Sequence, residues 1–230
     1  ETWGESWGDR YGCADLDGDG WSNLNDFEPL NEKQWLDTDG DGYGDNSSAY
    51  GGDQCPEVAG IEGGEGGGFK SPNEVASMVL LPLIRSRTDV PIIAAGGFID
   101  GSSMAAAFAL GAEGIQMGTR MVSALESPVH DNWKNAIISA EDTGTVFLNK
   151  FHSPALRALR TERTSRLEKL PDTNVMTKFG TAKDLYFDGD MEAAIPLSGQ
   201  VAGRIDSIKP VTDIIRETHL EFMEIIADLY

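Results

Sequence analysis

Basic residues, histidine, cysteine and long apolar runs are all scarce in this chain, and each scarcity excludes something. Its 230 residues hold 18 Lys and Arg against 38 Asp and Glu, a net charge of −20. With no basic face to meet phosphates, a nucleic-acid partner is excluded. No apolar run approaches the ~18 residues that a membrane-crossing helix needs, so no membrane partner is expected, and no signal peptide is visible. The chain opens on Glu1 instead of Met, so the natural N-terminus is expected upstream. The three histidines, His130, His152 and His219, read as surface or capping residues and not as bases. Both cysteines, Cys13 and Cys55, fall in the first quarter. That placement points to an oxidising compartment for that part alone. A Cys13–Cys55 disulfide and a partner for Cys13 upstream of Glu1 both stay open.

What is present is unevenly spread. Residues 1–57 carry fifteen acids and two bases, an asymmetry that divides the chain into an acidic segment, 1–57, and a second domain, 58–230. Inside the acidic segment two stretches repeat, DLDGDGWSN from Asp15 and DTDGDGYGD from Asp37. Each places Asp at positions 1, 3 and 5, Gly at 6, an aromatic at 7 and Asn or Asp at 9. Alternate carboxylates of a tight loop converge on one point, the glycine permits the turn, and the position-7 carbonyl adds an oxygen, as hard Ca²⁺ requires. The repeat, 22 residues apart with Cys nearby, resembles thrombospondin type 3 and related acidic calcium repeats. That resemblance implies Ca²⁺ on Asp15, Asp17, Asp19, Asn23 and Asp26 in one loop, and on Asp37, Asp39, Asp41 and Asp45 in the other. Position 12 of the second loop is Ser48, so that loop is not a full EF-hand.

From Val58 the texture alternates between strand and helix signals. Val58–Glu62 reads as a short strand running into a glycine loop, EGGEGGGF. Ser71–Glu74 reads as a capping box opening a helix to Arg87. VPIIAAGG reads as a buried strand, Val90–Ala95, and DGSSMAAAFALG as a helix from Ser102 with Gly111 just past its end. EGIQMGTR is a third strand, ending at Gly118–Thr119. Three strand–glycine–helix units give the rhythm of a parallel α/β sheet or barrel. Glycines at such strand tips let backbone amides approach a phosphate. Gly96, Gly97, Gly118 and Thr119 fit that use, with ordinary tight turns as the alternative. Farther on, Asp131–Ala140 and Pro154–Lys169 read as helices. Arg157, Arg160, Arg163 and Arg166 form a stripe expected to pair with Glu162 and Glu168. Pro210–Leu229 reads as a long amphipathic helix packing Ile214, Ile215, Phe222, Ile225, Ile226 and Leu229 inward.

EGGEGGGF, VPIIAAGGFIDGSSMAAAFALGAEGIQMGTR, ESPVHDNWK and PLSGQVAGRI together resemble the C-terminal half of the nitronate monooxygenase (2-nitropropane dioxygenase-like) family, flavin-dependent TIM barrels that include enoyl-acyl-carrier-protein reductases. The resemblance implies an α/β fold: a partial (β/α)8 TIM barrel, its last three strand–helix units and C-terminal helices, behind an irregular calcium-loop segment. It implies FMN, with its phosphate on Gly96, Gly97, Gly118 and Thr119, Gly67 and Gly68 near the flavin, and Gln116 and Gln200 as polar contacts. It implies nitronate oxidation, or flavin reduction by NAD(P)H, on a small-molecule substrate.

Two departures qualify the activity. Phe69 stands where the family's loop ends in a catalytic histidine, and a phenyl ring takes no proton, so no catalytic residue is assigned. Glu62 and Glu65 are the nearest carboxylates. Residues 1–57 also hold no run of buried strands to supply the barrel's first five units, so a second copy or another chain is the expected partner. The alternative is a calcium-binding extracellular interaction protein carrying an inactive barrel remnant. Location divides likewise: cytoplasmic by the flavin half, extracellular by the calcium repeats.

Overall fold

A computed structural model describes residues 6–8, 13–27, 30, 32–36, 45–46, 59–170 and 173–229. The chain divides into two compact units, 1–61 with 84–93, and 62–83 with 94–230. The first three strand expectations hold closely. β1 is Ala59–Glu62, β3 is Ile92–Ala95 and β4 is Gly114–Gln116, forming one sheet in the order β1-β3-β4. Between β3 and β4 runs α2, Gly101–Ala109, whose capping box is built by Asp100 and Ser103. Gly111 follows its end at φ +101°.

The helix after β1 is shorter than its sequence signal. α1 spans Ser77–Arg85, and the Ser71–Glu74 box does not open it. Its first amide, at Ser77, donates to both oxygens of Glu65, twelve residues upstream, at 3.1 Å. The end of a helix needs any acceptor for its orphan amides, not a neighbouring one. The glycine loop brings Glu65 to that end, while Glu74 is drawn to Arg157 at 2.8 Å.

A second sheet corrects the reading of residues 154–169 as one helix. Ala155–Leu159 is a strand, β6, and only Glu162–Glu168 is helical, α5. β6 lies between β2, Gly68–Lys70, and β5, Thr145–Leu148, antiparallel to both. All five β6 residues are buried. Spacing of Arg and Leu suits a helix here, but pairing on both edges of the strand outweighs it, because strand preference is set by cross-strand neighbours. Arg157 therefore leaves the expected surface stripe for the interior. Arg160 and Arg166 do pair with Glu168 and Glu162, at 2.8 and 3.4 Å, whereas Arg163 reaches the carbonyls of Lys178 and Glu192.

α4, Asp131–Ile138, stands against the loops around Tyr186 and the 3-10 turn Gln200–Arg204, and its Trp133 and Ile137 form the larger core with Ile99, Val129, Leu159 and Leu185. A smaller core under β5 and β6 gathers Val146, Leu148, Leu156, Ala158, Leu167 and Ile195. The long helix appears as α7, Val211–Leu229, packed on α2, with Phe222 against Phe108 at 5.0 Å. Of its expected inward residues Ile214 is buried, but Ile215 and Leu229 are exposed. α2 has 9 residues to the 19 of α7, so it covers only part of that helix. No helix among the described residues is long and apolar enough to cross a membrane.

Candidate active site

The glycine loop after β1 organises the site. Gly63 continues β1 by donating to the Ala95 carbonyl at the end of β3, and Gly66 closes a turn on Gly63. This folds Gly66 against the tip of β3, where Gly96 and Gly97 stand at φ +78° and +93°. A Cβ on Gly96 would lie 2.8 Å from the Gly63 oxygen. Both the positive φ and the close approach call for glycine there.

Beside this tip lies a cavity of about 410 Å³ whose lining includes Glu65, Ser77, Gly96, Gly97, Gln200 and Arg204. Glu65 is its one carboxylate. Ser77 Oγ lies 3.0 Å from both Glu65 Oε2 and the Gly96 carbonyl, tying loop, helix start and strand tip together. The Gln200 amide donates to the Glu65 carbonyl at 2.9 Å, and its neighbour Gly199 donates to Thr119 Oγ1 at 2.8 Å. Thr119 opens α3, Thr119–Val122, directly after Gly118. Thr119, Gly199, Gln200, Glu65, Ser77 and Gly96 thus form one chain of contacts linking the tip of β4 to the tip of β3.

Charge around the site is paired. Arg204 lies 2.6 Å from Asp100 at the start of α2. Burial alone would raise the Asp100 carboxyl, but hydrogen bonds from Ser103 and Ser102, with the charge of Arg204, hold it below its ordinary value. Behind the β4 tip Arg120 is buried and donates to Ser123 Oγ and the Ser207 carbonyl. Burial lowers its pKa from the ordinary arginine value, opposed by Asp206 and Glu217.

Of the residues expected at the site, Gly96, Gly97 and Gln200 line the cavity. Thr119 joins them through Gly199, and Gly67 packs on the backbone of Ser198 and Gly199. Gly118 faces open space. Gln116 is exposed on β4 and does not line the cavity, and Gly68 sits in β2, where a side chain would meet nothing within 4 Å. Phe69 is 54% exposed and stacks on Phe179 at 6.3 Å. Alternation along β2 turns it to the opposite face from Lys70, which reaches back to the Gly63 carbonyl. Sequence reading missed Ser77, Gly199 and Arg204, and gave Glu65 no role. The one available signal was the carboxylate set among the loop glycines.

In the acidic segment, carboxylate oxygens of Asp15, Asp17 and Asp19 lie within 4.8 Å of one another. The loop is shaped by its own amides: Gly18 and Gly20 donate to Asp15, and Asn23 accepts from Leu16. Asp26 is buried. Asp37, Asp39, Asp41 and Cys55 lie outside the described residues, Asp45 is described only with its neighbour Asn46, and Cys13 forms no disulfide among the described residues.

This is an α/β chain with a cavity beside the glycine tip of one strand, an arrangement in which backbone amides can approach a ligand closely. Residues 53–221 match the family model described as nitronate monooxygenase. The chain belongs to the nitronate monooxygenase family, a family of FMN-type oxidoreductases. It is 41% identical over 108 residues to a (3aS,4S,5R,7aS)-5-hydroxy-7a-methyl-1-oxo-octahydro-1H-indene-4-carboxyl-CoA dehydrogenase of Rhodococcus jostii (strain RHA1), covering 47% of this chain and 30% of that protein. It is 32% identical over 163 residues to a probable nitronate monooxygenase of Staphylococcus aureus (strain MSSA476), covering 66% of this chain and 46% of the relative. The solved structure of FabK from Thermotoga maritima superposes with a TM-score of 0.70 at 38% identity, over 75% of this chain and 56% of that one. The chain therefore spans between about a third and just over half of the proteins it resembles.

Proposed function

We propose that this chain carries the FMN-holding part of an oxidoreductase of nitronate monooxygenase type, built on part of a (β/α)8 barrel. The observation that carries this is the Gly96–Gly97 tip, at the positive φ that favours glycine, bordering the cavity and linked by contacts to Thr119. The residues fit the group: among the described residues no acceptor meets the amides of Gly97 or Gly118, and a side chain at Gly118 would touch nothing within 4 Å. Those amides would hold the phosphate, and Gln200 would give a polar contact. FMN, when bound, supplies a two-electron acceptor. Phe69 offers no group to take a proton from a nitroalkane, which favours an already reduced donor over a nitroalkane as the substrate. The word dehydrogenase in the name of the Rhodococcus relative agrees with that preference.

Titration of FMN into the full chain, followed by quenching of its fluorescence, tests the proposal. Saturable quenching with one site per chain is the expected result; none over the micromolar range overturns it.

We infer second that the Asp15 loop binds Ca²⁺. Beyond the convergence of Asp15, Asp17 and Asp19, Oδ2 of Asp17 is shielded from solvent and meets no hydrogen-bond donor among the described residues. A buried carboxylate oxygen without a partner is costly unless a cation meets it. Calorimetric titration should show binding with a Kd of about 10⁻⁴ to 10⁻³ M, the range of extracellular modules. Replacing Asp17 and Asp19 together by Asn should abolish it, and an unchanged isotherm would refute the site.

A further inference from the structure

The glycine loop is held by two cations from the second sheet. Arg157 and Lys70 are 6% and 8% exposed. They share one face of that sheet, because Arg157 pairs with Gly68 and Lys70 lies two residues on. Lys70 Nζ donates to the Gly63 carbonyl at 3.2 Å, and Arg157 Nε donates to the Gly64 carbonyl at 2.8 Å. Arg157 is itself fixed: Nη2 meets both oxygens of Glu74, at 3.0 and 2.8 Å, and its guanidinium carbon lies 5.1 Å from the centre of the Phe147 ring. Burying two cations is costly, and the other loop contacts, from Gly66, Val75 and Gln200, would close a turn without them.

Their effect follows from peptide planarity. The carbonyl of Gly64 and the amide of Glu65 belong to one rigid unit and point in opposite directions. With the oxygen anchored on Arg157, the Glu65 amide is turned away from the guanidinium. It donates to no acceptor among the described residues. A cation on the oxygen also polarises the unit and strengthens the amide as a donor. Glu65 lines the cavity assigned to the cofactor.

We infer that Arg157, supported by Lys70, is a positioning residue: it locks the Gly64–Glu65 peptide so that the Glu65 amide is offered as a hydrogen-bond donor to the group bound in the cavity. This rests on the FMN reading above for the identity of that group. The sequence placed Arg157 on a solvated stripe, and the loop's glycines alone do not set the direction of any one peptide.

Arg157→Met keeps the volume and removes the donors. In the full chain it should leave the secondary structure by circular dichroism unchanged, speed amide hydrogen exchange in residues 63–67 but not in β5 or α4, and raise the Kd for FMN about tenfold, the loss one charge-assisted hydrogen bond implies. Arg157→Lys should fall between, since an ammonium cannot span Gly64 and Glu74 together. Arg160→Met, at an exposed pair, should change neither readout. If Arg157→Met does not fold, Glu74→Gln, which loosens the guanidinium and leaves it in place, should still speed exchange in the loop. Folded Arg157→Met with parental loop exchange overturns the clamp. Faster exchange with parental FMN affinity overturns the role assigned to the amide. If the parent chain takes up no FMN, the cofactor reading fails by itself, and loop exchange still decides the clamp.

Discussion

Gly67→Val should abolish saturable FMN binding and lower stability by about 1–3 kcal/mol, the usual cost of forcing atoms into a filled space. A Cβ at this position would lie 2.5 Å from both the Gly199 nitrogen and the Ser198 carbonyl carbon. These are backbone atoms, which cannot rotate aside. The segment 198–200 would have to retreat, and it carries two of the links that assemble the site: Gln200 amide to Glu65 carbonyl, and Gly199 amide to Thr119 Oγ1. Gly68→Ala provides the contrast, since nothing lies within 4 Å of its Cβ and only its φ of +101° resists substitution. It should bind FMN within a few-fold of the parent, at a cost of about 1–2 kcal/mol. Fluorescence titration and thermal melts of the two variants check the pair; parental FMN affinity in Gly67→Val would remove the loop from the site.

The largest loss of stability is expected from Trp133→Ala, about 3–5 kcal/mol by the cost of emptying a large buried site. Trp133 is 1% exposed and sits in the larger core. Its ring meets Tyr186 edge to face at 4.7 Å, and Nε1 donates to Ser198 Oγ at 3.3 Å. Removal therefore opens a cavity and also orphans a buried hydroxyl beside Gly199. Domains are commonly stable by only about 5–15 kcal/mol, so this variant should melt about 10 °C or more below the parent. Trp133→Phe, which keeps most of the ring and loses the hydrogen bond, should cost less. A melt of Trp133→Ala within about 2 °C of the parent, the shift expected from at most 1 kcal/mol in a chain this long, would mean that α4 is not part of the cooperative core.

Much of the strand–helix rhythm was legible because its signals are local. Apolar runs such as Ile92–Ala95 stop at glycines, and α7 follows a 3.6-residue period, so β3, β4, α2 and α7 lie within a few residues of their expected bounds. The glycine tips were legible for the same reason: few residues tolerate φ near +80°, so Gly-Gly after a strand narrows the choices. The second sheet was hidden because β2, β5 and β6 have 3, 4 and 5 residues and carry little periodicity. Arg157 spoils the pattern of β6 because it has been buried for its contacts with Gly64 and Glu74.

By itself the sequence determined the acidic and glycine-rich composition, the order of the first α/β units, the glycines at their tips and the absence of a histidine at position 69. Only the tertiary structure decided which groups meet. Glu65 caps α1 in place of the local box, Glu74 turns to Arg157, Phe69 faces away from Lys70, and Thr119 reaches Gly199 across eighty residues. The physical reason is range. Torsional preference and periodicity act over a few residues and are written into them, whereas a carboxylate or a guanidinium takes whichever partner the packed chain places within about 3 Å.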